Sequence, residues 1–202
     1  MPRAEDIVRF DDAPSPPGES PWVPGAAPSR EIAIVDADPG WPQVFGELER
    51  RVRAALGDAA LSITHVGSTS VPDLPAKPVI DIDLIVADSA DERAYLAQLE
   101  AAGFTLTIRE PWWYEHRCLV LADPRCNLHV FSPDNPEAAR HVLFRDWLRR
   151  HPDDRDRYRD AKLQASDAAN IAGEHAMQYN ARKQPVIREI YARAFRAAGF
   201  LP

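Results

Sequence analysis

Two aspartates, Asp81 and Asp83, carry the clearest chemical signal in this sequence, because a single isoleucine separates them within the apolar run VIDIDLIV. Side chains alternate along a β-strand, so a strand here would place both carboxylates on the same face. Neighbouring carboxylates disfavour each other's charge unless a cation compensates them, and oxygen ligands suit Mg²⁺ or Mn²⁺. We therefore predict that Asp81 and Asp83 are metal ligands and catalytic residues; the alternative is a pair of strand residues facing water.

A Gly-Ser step, Gly67-Ser68, begins the loop that precedes this strand. Glycine lets a phosphate approach the backbone closely, and the amide and hydroxyl donate hydrogen bonds to anionic oxygens. A Gly-Ser turn followed by Asp-x-Asp on a strand resembles the polymerase-β-like nucleotidyltransferases. The resemblance implies that the aspartates hold a metal ion on the phosphates of a nucleoside triphosphate, while the Gly-Ser turn holds the distal end of that triphosphate.

Lysine occurs at only three positions, Lys77, Lys162 and Lys183, although arginine is abundant. Lys77 lies four residues before the first aspartate, so it is either a phosphate ligand or an ordinary solvated loop lysine. Lys183 and Tyr179 are one helical turn apart and can converge on a nucleotide. Lys162 lies in the charged stretch 153–169, whose mixed signs predict a solvated helix face rather than a binding site.

The strand expected to supply a third carboxylate in active nucleotidyltransferases reads Asn127-Leu128-His129 here. Asn127 and His129 share a strand face. A neutral His129 can complete a metal site, or it can take the proton from an attacking hydroxyl as a general base. Without the third carboxylate, a single metal ion or a site that only binds its ligand remains an alternative. Arg117 is a candidate for stabilising charge on the phosphates.

Longer segments of the chain resemble the GrpB family. They read HVGSTSVPDLPAKPVIDIDLIV, VDADPGWPQVFGELERRVRAALG, LHVFSPDNPEAARHVLFRDWLRRHP and YNARKQPVIREI, and the resemblance covers about residues 31–197. That family is similar to nucleotidyltransferases in fold, and some of its members are fused to dephospho-CoA kinase. The resemblance therefore implies a nucleotidyltransferase-like fold more firmly than it implies a reaction.

The resemblance also implies roles for individual residues. Two positions depart from the family pattern: Asp73 stands where we expect glycine, and Pro185 interrupts an expected continuous helix. The matching motifs fall on Ala76, Lys77 and Pro78, on His116 and Arg117, on residues 128–131, and on Tyr179, Asn180 and Lys183. The residues predicted to bind nucleotide or phosphate are His65, Gly67, Ser68, Thr69, Lys77, Arg117, Tyr179 and Lys183.

Hydrophobic periodicity predicts an α+β protein with a helical C-terminal part. The family resemblance implies that its sheet is a nucleotidyltransferase-like mixed sheet flanked by helices. Asp38-Pro39 resembles a helix N-cap with proline at the first position, and Gly57 resembles the end of that helix. Pro185 is expected to break or restart the final helix. Strands are predicted at 61–66, 79–88, 104–108, 117–122 and 126–131, and helices at 90–102, from 136, over 153–169 and at the C-terminus.

The 202 residues include 24 Lys+Arg and 31 Asp+Glu, a net charge of −7, which argues against long nucleic acids as ligands. This length suits one domain at 31–202, preceded by a proline-rich segment, 1–30, that is flexible or strap-like and can be anchored by Trp22. About 18 consecutive apolar residues would be needed for a membrane span, and neither such a run nor a secretory signal occurs, so we expect a cytoplasmic protein without membrane contact.

The two cysteines, Cys118 and Cys126, are too few for a disulfide scaffold. A hairpin turning near Asp123-Pro124 would bring them opposite each other, and we expect free thiols.

Our leading hypothesis is an Mg²⁺- or Mn²⁺-dependent nucleotidyltransferase that transfers a nucleotidyl group from a nucleoside triphosphate to a small-molecule acceptor. A nucleotide- or CoA-binding module without catalysis is the alternative, and a domain with a vestigial pocket is a third possibility.

Overall fold

A five-stranded mixed sheet forms the centre of the computed structural model, which describes residues 2–10 and 14–202. The strands are β1 Ser62–Val66, β2 Ile80–Ile85, β3 Thr105–Glu110, β4 His116–Leu121 and β5 Cys126–Phe131. They lie in the order β1-β2-β5-β4-β3, with β2 and β5 parallel and the other neighbours antiparallel. The predicted α+β class with a mixed sheet is therefore confirmed.

Helices cover both faces of this sheet. Apolar residues on one face, including Ile82 and Leu128, form the main core with Leu48 and Val52. The last three helices cover the other face, which carries the two aspartates, and so confirm the predicted helical C-terminal part. The helices are α1 Ala4–Val8, α2 Trp41–Leu56, α3 Leu96–Ala101, α4 Pro136–Arg150, α5 Pro152–Ile171 and α6 Ala176–Ala197.

Three helices differ from the prediction. Helix α3 begins at Leu96 rather than at residue 90, and residues 92–94 form a short 3₁₀ turn instead. Helix α2 begins at Trp41 rather than at Pro39, because the Asp38 carboxylate accepts a hydrogen bond of 2.7 Å from the Gly40 amide and forms a turn before the helix. Helix α6 continues through Pro185 instead of breaking there. Pro185 and the residue one turn earlier, Ala181, are both exposed, so water can solvate the carbonyl that loses its helical partner.

The loop between β1 and β2 keeps a glycine-like backbone at the position where glycine was expected. Asp73 has a φ of 61°, in the left-handed region that glycine adopts freely and that aspartate tolerates better than most residues. The same loop is tied to the segment before α2 by an isolated bridge, in which Val35 and Ala76 exchange two backbone hydrogen bonds of 2.9 Å.

Parts of the N-terminal segment pack against the sheet and helices. The Val23 amide donates to the carbonyl of Thr107 at 3.1 Å, and Trp22 forms a bridge with Ile108 at the edge strand β3. Ile7 of α1 is buried against the C-terminal helix. Residue 1 and residues 11–13 lie outside the described residues, and the separation of 1–30 from the domain stays a prediction.

Both cysteines are buried free thiols, but they do not face each other across the β4–β5 hairpin. The hairpin register pairs Cys118 with His129 and Cys126 with Leu121, so the prediction that the sulfurs lie opposite each other was wrong. Across residues 2–10 and 14–202, each helix is too short or too polar to serve as a transmembrane segment.

Candidate functional site

A cavity of about 270 Å³ lies between the aspartate-bearing face of the sheet and helices α4, α5 and α6. It is called the lysine cavity below, because its walls include Lys77, Lys162 and Lys183, the three lysines of the sequence. Most of the predicted site residues line it, namely Gly67, Ser68, Thr69, Lys77, Asp81, His129, Tyr179 and Lys183.

The three lysines reach the cavity from different segments. Lys77 belongs to the loop before β2, Lys162 to α5 and Lys183 to α6. The prediction of a solvated face was wrong at Lys162, whose side chain is only 2% exposed and donates a hydrogen bond to the carbonyl of Pro75. Sequence reasoning missed this residue, and the rarity of lysine was the signal that could have found it.

Two tyrosine rings hold the ammonium groups. The Lys183 and Lys77 nitrogens lie 4.3 and 5.3 Å from the centre of the Tyr179 ring, and the Lys162 nitrogen lies 5.2 Å from that of Tyr158. Ammonium groups at these distances are attracted to the negative face of an aromatic ring. The rings therefore keep the three lysine nitrogens near one another without adding negative charge.

Burial disfavours the charged form of each lysine. It lowers the pKa of Lys183 to about 8, lowers that of Lys162 well below its ordinary value, and also lowers that of Lys77. Within the described part of the chain, neither Lys77 nor Lys183 forms an ion pair with a carboxylate. A buried cation is costly unless an anion compensates it, so this cavity is suited to an anionic ligand.

Asp81 lies beside the turn at Gly67. Its Oδ1 accepts a hydrogen bond of 2.8 Å from the Asn127 amide, and its carboxylate forms part of the cavity wall. Burial raises the pKa of Asp81, while the Asn127 hydrogen bond and the charge of Lys77 act in the opposite direction. Gly67 has a φ of 67° and passes so close to Asp81 that a β-carbon would overlap the carboxylate.

Asp83 shares the sheet face of Asp81 but has a different partner. It is 2% exposed, and both of its oxygens lie 3.0–3.1 Å from Nδ1 of His141 in α4. Nε2 of His141 lies 3.4 Å from Glu137. Burial opposes charge on His141, but the Asp83 and Glu137 carboxylates outweigh it and raise the pKa of this imidazole well above its ordinary range. A histidine cation therefore compensates Asp83.

His141 was not identified from the sequence. Its spacing of four residues from Glu137 in a predicted helix was a usable signal, because such residues lie on one helix face. Its pairing with Asp83 joins segments far apart in the chain and could not be predicted from local patterns.

His129 ends a chain of polar side chains that begins outside the cavity. Its Nδ1 lies 3.1 Å from Nε2 of His116, and Nδ1 of His116 lies 2.8 Å from the Glu110 carboxylate. Because an ionised carboxylate only accepts, His116 donates to Glu110 through Nδ1. When His116 is neutral, its Nε2 accepts from His129, which leaves Nε2 of His129 with a lone pair.

Burial lowers the pKa of His129 to about 3, so this imidazole is neutral near pH 7. A neutral His129 with a free lone pair can accept a hydrogen bond from a group in the cavity, but so low a pKa makes it a weak base near pH 7.

Two predicted phosphate ligands lie outside the lysine cavity. His65 is stacked on Phe45 with ring centres 4.8 Å apart, and its Nε2 lies 3.0 Å from the Thr69 hydroxyl. That hydroxyl donates to the Val79 carbonyl, so His65 donates to Thr69, in agreement with a pKa that burial lowers to about 4. Arg117 projects from the opposite face of the sheet.

The Arg117 side chain is 5% exposed, and its Nε donates to Glu92 at 2.6 Å. Its partner Glu92 also binds Arg109 at 2.6 Å, which makes this a separate ion-pair cluster. Among the residues that the structure describes, no group of three or more His, Cys, Asp or Glu side chains is arranged to hold a metal ion.

Comparisons with known proteins agree with the family resemblance. The family model described as GrpB protein matches residues 31–193. A UPF0157 protein of Halalkalibacterium halodurans is 46% identical over 166 residues, which cover 82% of this chain and 84% of that protein. A dephospho-CoA kinase of Mycobacterium tuberculosis is 33% identical over 85% of this chain but only 47% of its own length.

The fold also matches a solved structure. The crystal structure of the conserved protein GrpB from Enterococcus faecalis superposes with a TM-score of 0.71 at 26% sequence identity. The match covers 82% of this chain and 99% of that one.

Proposed function

This chain belongs to the GrpB family, and we propose that its lysine cavity binds the phosphate groups of a nucleotide. The convergence of Lys77, Lys162 and Lys183 on one cavity is the observation that carries this proposal. Several ammonium groups in a poorly solvated site suit an anion with several charges, because such an anion can compensate all of them at once. Phosphate chains have this property.

The turn at Gly67-Ser68 supports the same ligand. Glycine leaves the backbone accessible where a side chain would block it, and Ser68, which lines the cavity, brings an amide and a hydroxyl as donors for anionic oxygens. The hydroxyl of Thr69 already donates to Val79, so its role is to hold the turn in place rather than to bind phosphate. We propose that Tyr179 and Asn180 shape the opposite wall, on α6.

A divalent ion fits this site through one aspartate rather than two. Mg²⁺ is usually held by one or two carboxylates together with substrate phosphates. Asp81 lines the cavity and meets this requirement, whereas the two oxygens of Asp83 face His141. We therefore propose that Asp81, with phosphate oxygens, would hold Mg²⁺ or Mn²⁺, and that the ion would neutralise charge on the phosphates.

The reaction that we propose is nucleotidyl transfer to a hydroxyl or amine of a small molecule in the cytoplasm. The acceptor atom would attack the α-phosphorus of a nucleoside triphosphate, and pyrophosphate would leave. His129 would accept a hydrogen bond from the acceptor group on Nε2, the nitrogen that the chain through His116 and Glu110 leaves free, and so orient that group for attack. The proton of the acceptor would leave with the pyrophosphate. The net charge of −7 favours a small acceptor over a long nucleic acid.

A second candidate is a nucleotide- or CoA-binding module without catalysis. Asn127 favours it, because this neutral side chain lies beside Asp81 on β5, where a third carboxylate was expected, and donates to that aspartate. The similarity to dephospho-CoA kinases, of which this chain matches about half the length, points to the same ligand class.

Replacement of Asp81 by asparagine is expected to separate the two candidates in a thermal-shift assay. With ATP and Mg²⁺ at about 100 times the dissociation constant, the wild-type melting temperature should rise by about 5–10 °C. In Asp81→Asn the part of the shift that requires Mg²⁺ should disappear. Metal-free tripolyphosphate should bind the variant more tightly, because one negative charge beside the phosphates is gone.

The exposed Asp58 supplies the matched control, and Asp58→Asn should behave as wild type. Stabilisation by CoA without metal, unchanged in Asp81→Asn, would favour the binding module over transfer. No shift with ATP, CoA or tripolyphosphate would contradict the proposed function altogether.

Binding is also expected to weaken as the pH rises. Burial sets the pKa of Lys183 at about 8, so this group is charged at pH 7 and neutral above that pKa. A phosphate ligand favours the protonated lysine, so affinity is highest below pH 8 and is lost above it. We expect ATP affinity to fall about tenfold between pH 7 and pH 9 in isothermal titration calorimetry.

Lys183→Arg provides the control, because a guanidinium stays charged throughout this range. Its affinity should change little with pH. An equally steep decline in Lys183→Arg would assign the pH dependence to another group.

A further inference from the structure

A second cavity of about 340 Å³ adjoins the lysine cavity and is called the aromatic cavity here. The two cavities share wall residues, among them Gly67, His141, Tyr158 and Lys183. A ligand whose charged end occupies the lysine cavity can therefore extend into the aromatic cavity without leaving the protein surface.

The walls of this second cavity differ in chemistry from those of the first. They carry the aromatic side chains of Phe10, Trp113, Phe144 and Tyr191 in addition to Tyr158. Aromatic walls bind planar rings through their faces and edges, and they do so largely without regard to the identity of the ring. Polar groups, including those of Glu137 and Gln184, lie among these rings and can accept or donate hydrogen bonds to a heterocycle.

Phe10 is the unusual member of this wall, because it precedes the family match at residues 31–193. Its ring lies 5.3 Å from that of Tyr191 and 5.9 Å from that of Phe195. The Arg188 guanidinium lies 3.4 Å from the Phe10 ring centre. These contacts place the Phe10 ring against helix α6 beside the cavity.

A buried arginine fixes the segment that carries Phe10. Arg140 of α4 is 0% exposed and donates through Nη1 to the carbonyls of Asp6, Ile7 and Arg9 at 3.0–3.1 Å. Its charge is compensated by Glu137 at 2.5 Å. Since these three hydrogen bonds fix the backbone up to Arg9, the residue before Phe10, the backbone position of this ring is set by the core of the domain.

We propose that the aromatic cavity binds the base, or an equivalent planar ring, of the ligand whose phosphates occupy the lysine cavity, and that Phe10 contributes to its affinity. This inference rests on the proposed function. It assigns to the N-terminal segment a part in ligand binding that the family match does not cover. It also identifies the ligand class as one that joins a phosphate chain to a planar ring.

Calorimetric titration of Phe10→Ala tests the proposal in the full-length protein. The probes are ATP, CoA and inorganic tripolyphosphate, which has phosphates but no ring. We expect Phe10→Ala to weaken ATP or CoA binding about tenfold and to change tripolyphosphate binding by less than about twofold. Phe200→Ala is the matched control, because Phe200 packs in the same apolar cluster but is not among the described residues that line either cavity.

Three outcomes would overturn the inference. They are equal losses for tripolyphosphate and the ring-bearing ligands, no loss for any ligand, and equal losses in the Phe10 and Phe200 variants. In each of these cases, tripolyphosphate binding that depends on Lys183 would leave the proposed function intact. If wild-type protein binds none of the three probes, both the inference and the proposed function fail.

Discussion

Replacement of Lys183 by methionine should weaken the binding of ATP and of tripolyphosphate about 100-fold, because loss of one partner of a buried charge pair typically costs about 2–5 kcal/mol. Methionine preserves much of the length and apolar volume of lysine while removing the charge. Lys183 is 8% exposed, and its ammonium group lies with those of the other two lysines around the rings of Tyr158 and Tyr179. Isothermal titration calorimetry at pH 7 measures the change directly.

The same substitution is expected to stabilise the protein when no phosphate is present. Burial lowers the pKa of Lys183 to about 8. At pH 7 the lysine is therefore still charged in the folded protein, and burying this charge costs free energy of folding. Removing this cost should raise the free energy of unfolding by on the order of 1 kcal/mol in urea titrations. Weaker binding together with greater stability would exclude simple misfolding as the cause of the affinity loss.

Arg182→Met is the matched control on the same helix. Arg182 is 40% exposed and pairs with Glu174 at 2.8 Å, so its loss should change binding little. Comparable affinity losses in the two variants would show that general surface charge, rather than the lysine cavity, attracts the phosphate.

The second large effect is expected from Gly67→Ala, which should lower the free energy of unfolding by about 3 kcal/mol. Gly67 has φ 67° and ψ −170°, a conformation that L-residues rarely adopt. An added β-carbon would lie 2.3 Å from the Asp81 Oδ2 and 2.9 Å from its Cβ. The oxygen can rotate away, but Cβ is fixed to strand β2, so the turn or the strand must move.

Movement of this turn should also reduce ATP affinity, because the turn and Asp81 belong to the same wall of the lysine cavity. Urea denaturation and calorimetric titration measure the two effects. Gly46→Ala is a control of opposite sign, since Gly46 lies within α2 with no atom within 4 Å of an added β-carbon. It should stabilise the protein by about 0.5–1 kcal/mol. An unchanged urea-denaturation midpoint for Gly67→Ala would contradict the close approach of the Gly67 backbone to Asp81.

Local patterns predicted the sheet and the position of the aspartates well. The two-residue period of VIDIDLIV places Ile82 in the core and Asp81 and Asp83 on the opposite face, as the structure does. This succeeds because the alternation of side chains is a property of the strand itself. The same reasoning could not predict that Asp81 lines the cavity while Asp83 is paired with a histidine. That difference arises from His141, which approaches Asp83 from α4.

The lysines illustrate a second limit of sequence reasoning. Charged residues around Lys162 have mixed signs, and the local pattern resembles a helix face in water. Contact with the Pro75 carbonyl and with Tyr158 buries this one side chain, and neither contact has a local signature. Helix ends were similarly difficult, since Asp38 forms a turn before α2 and exposure allows Pro185 within α6.

The origin of the three ammonium groups in a loop, in α5 and in α6 has a mechanical consequence. A single polyanion that touches all three would act as a noncovalent crosslink between the sheet and the last two helices. Rigidity of that junction and ligand affinity then depend on the same contacts, so any substitution that shifts α6 relative to β2 alters both together.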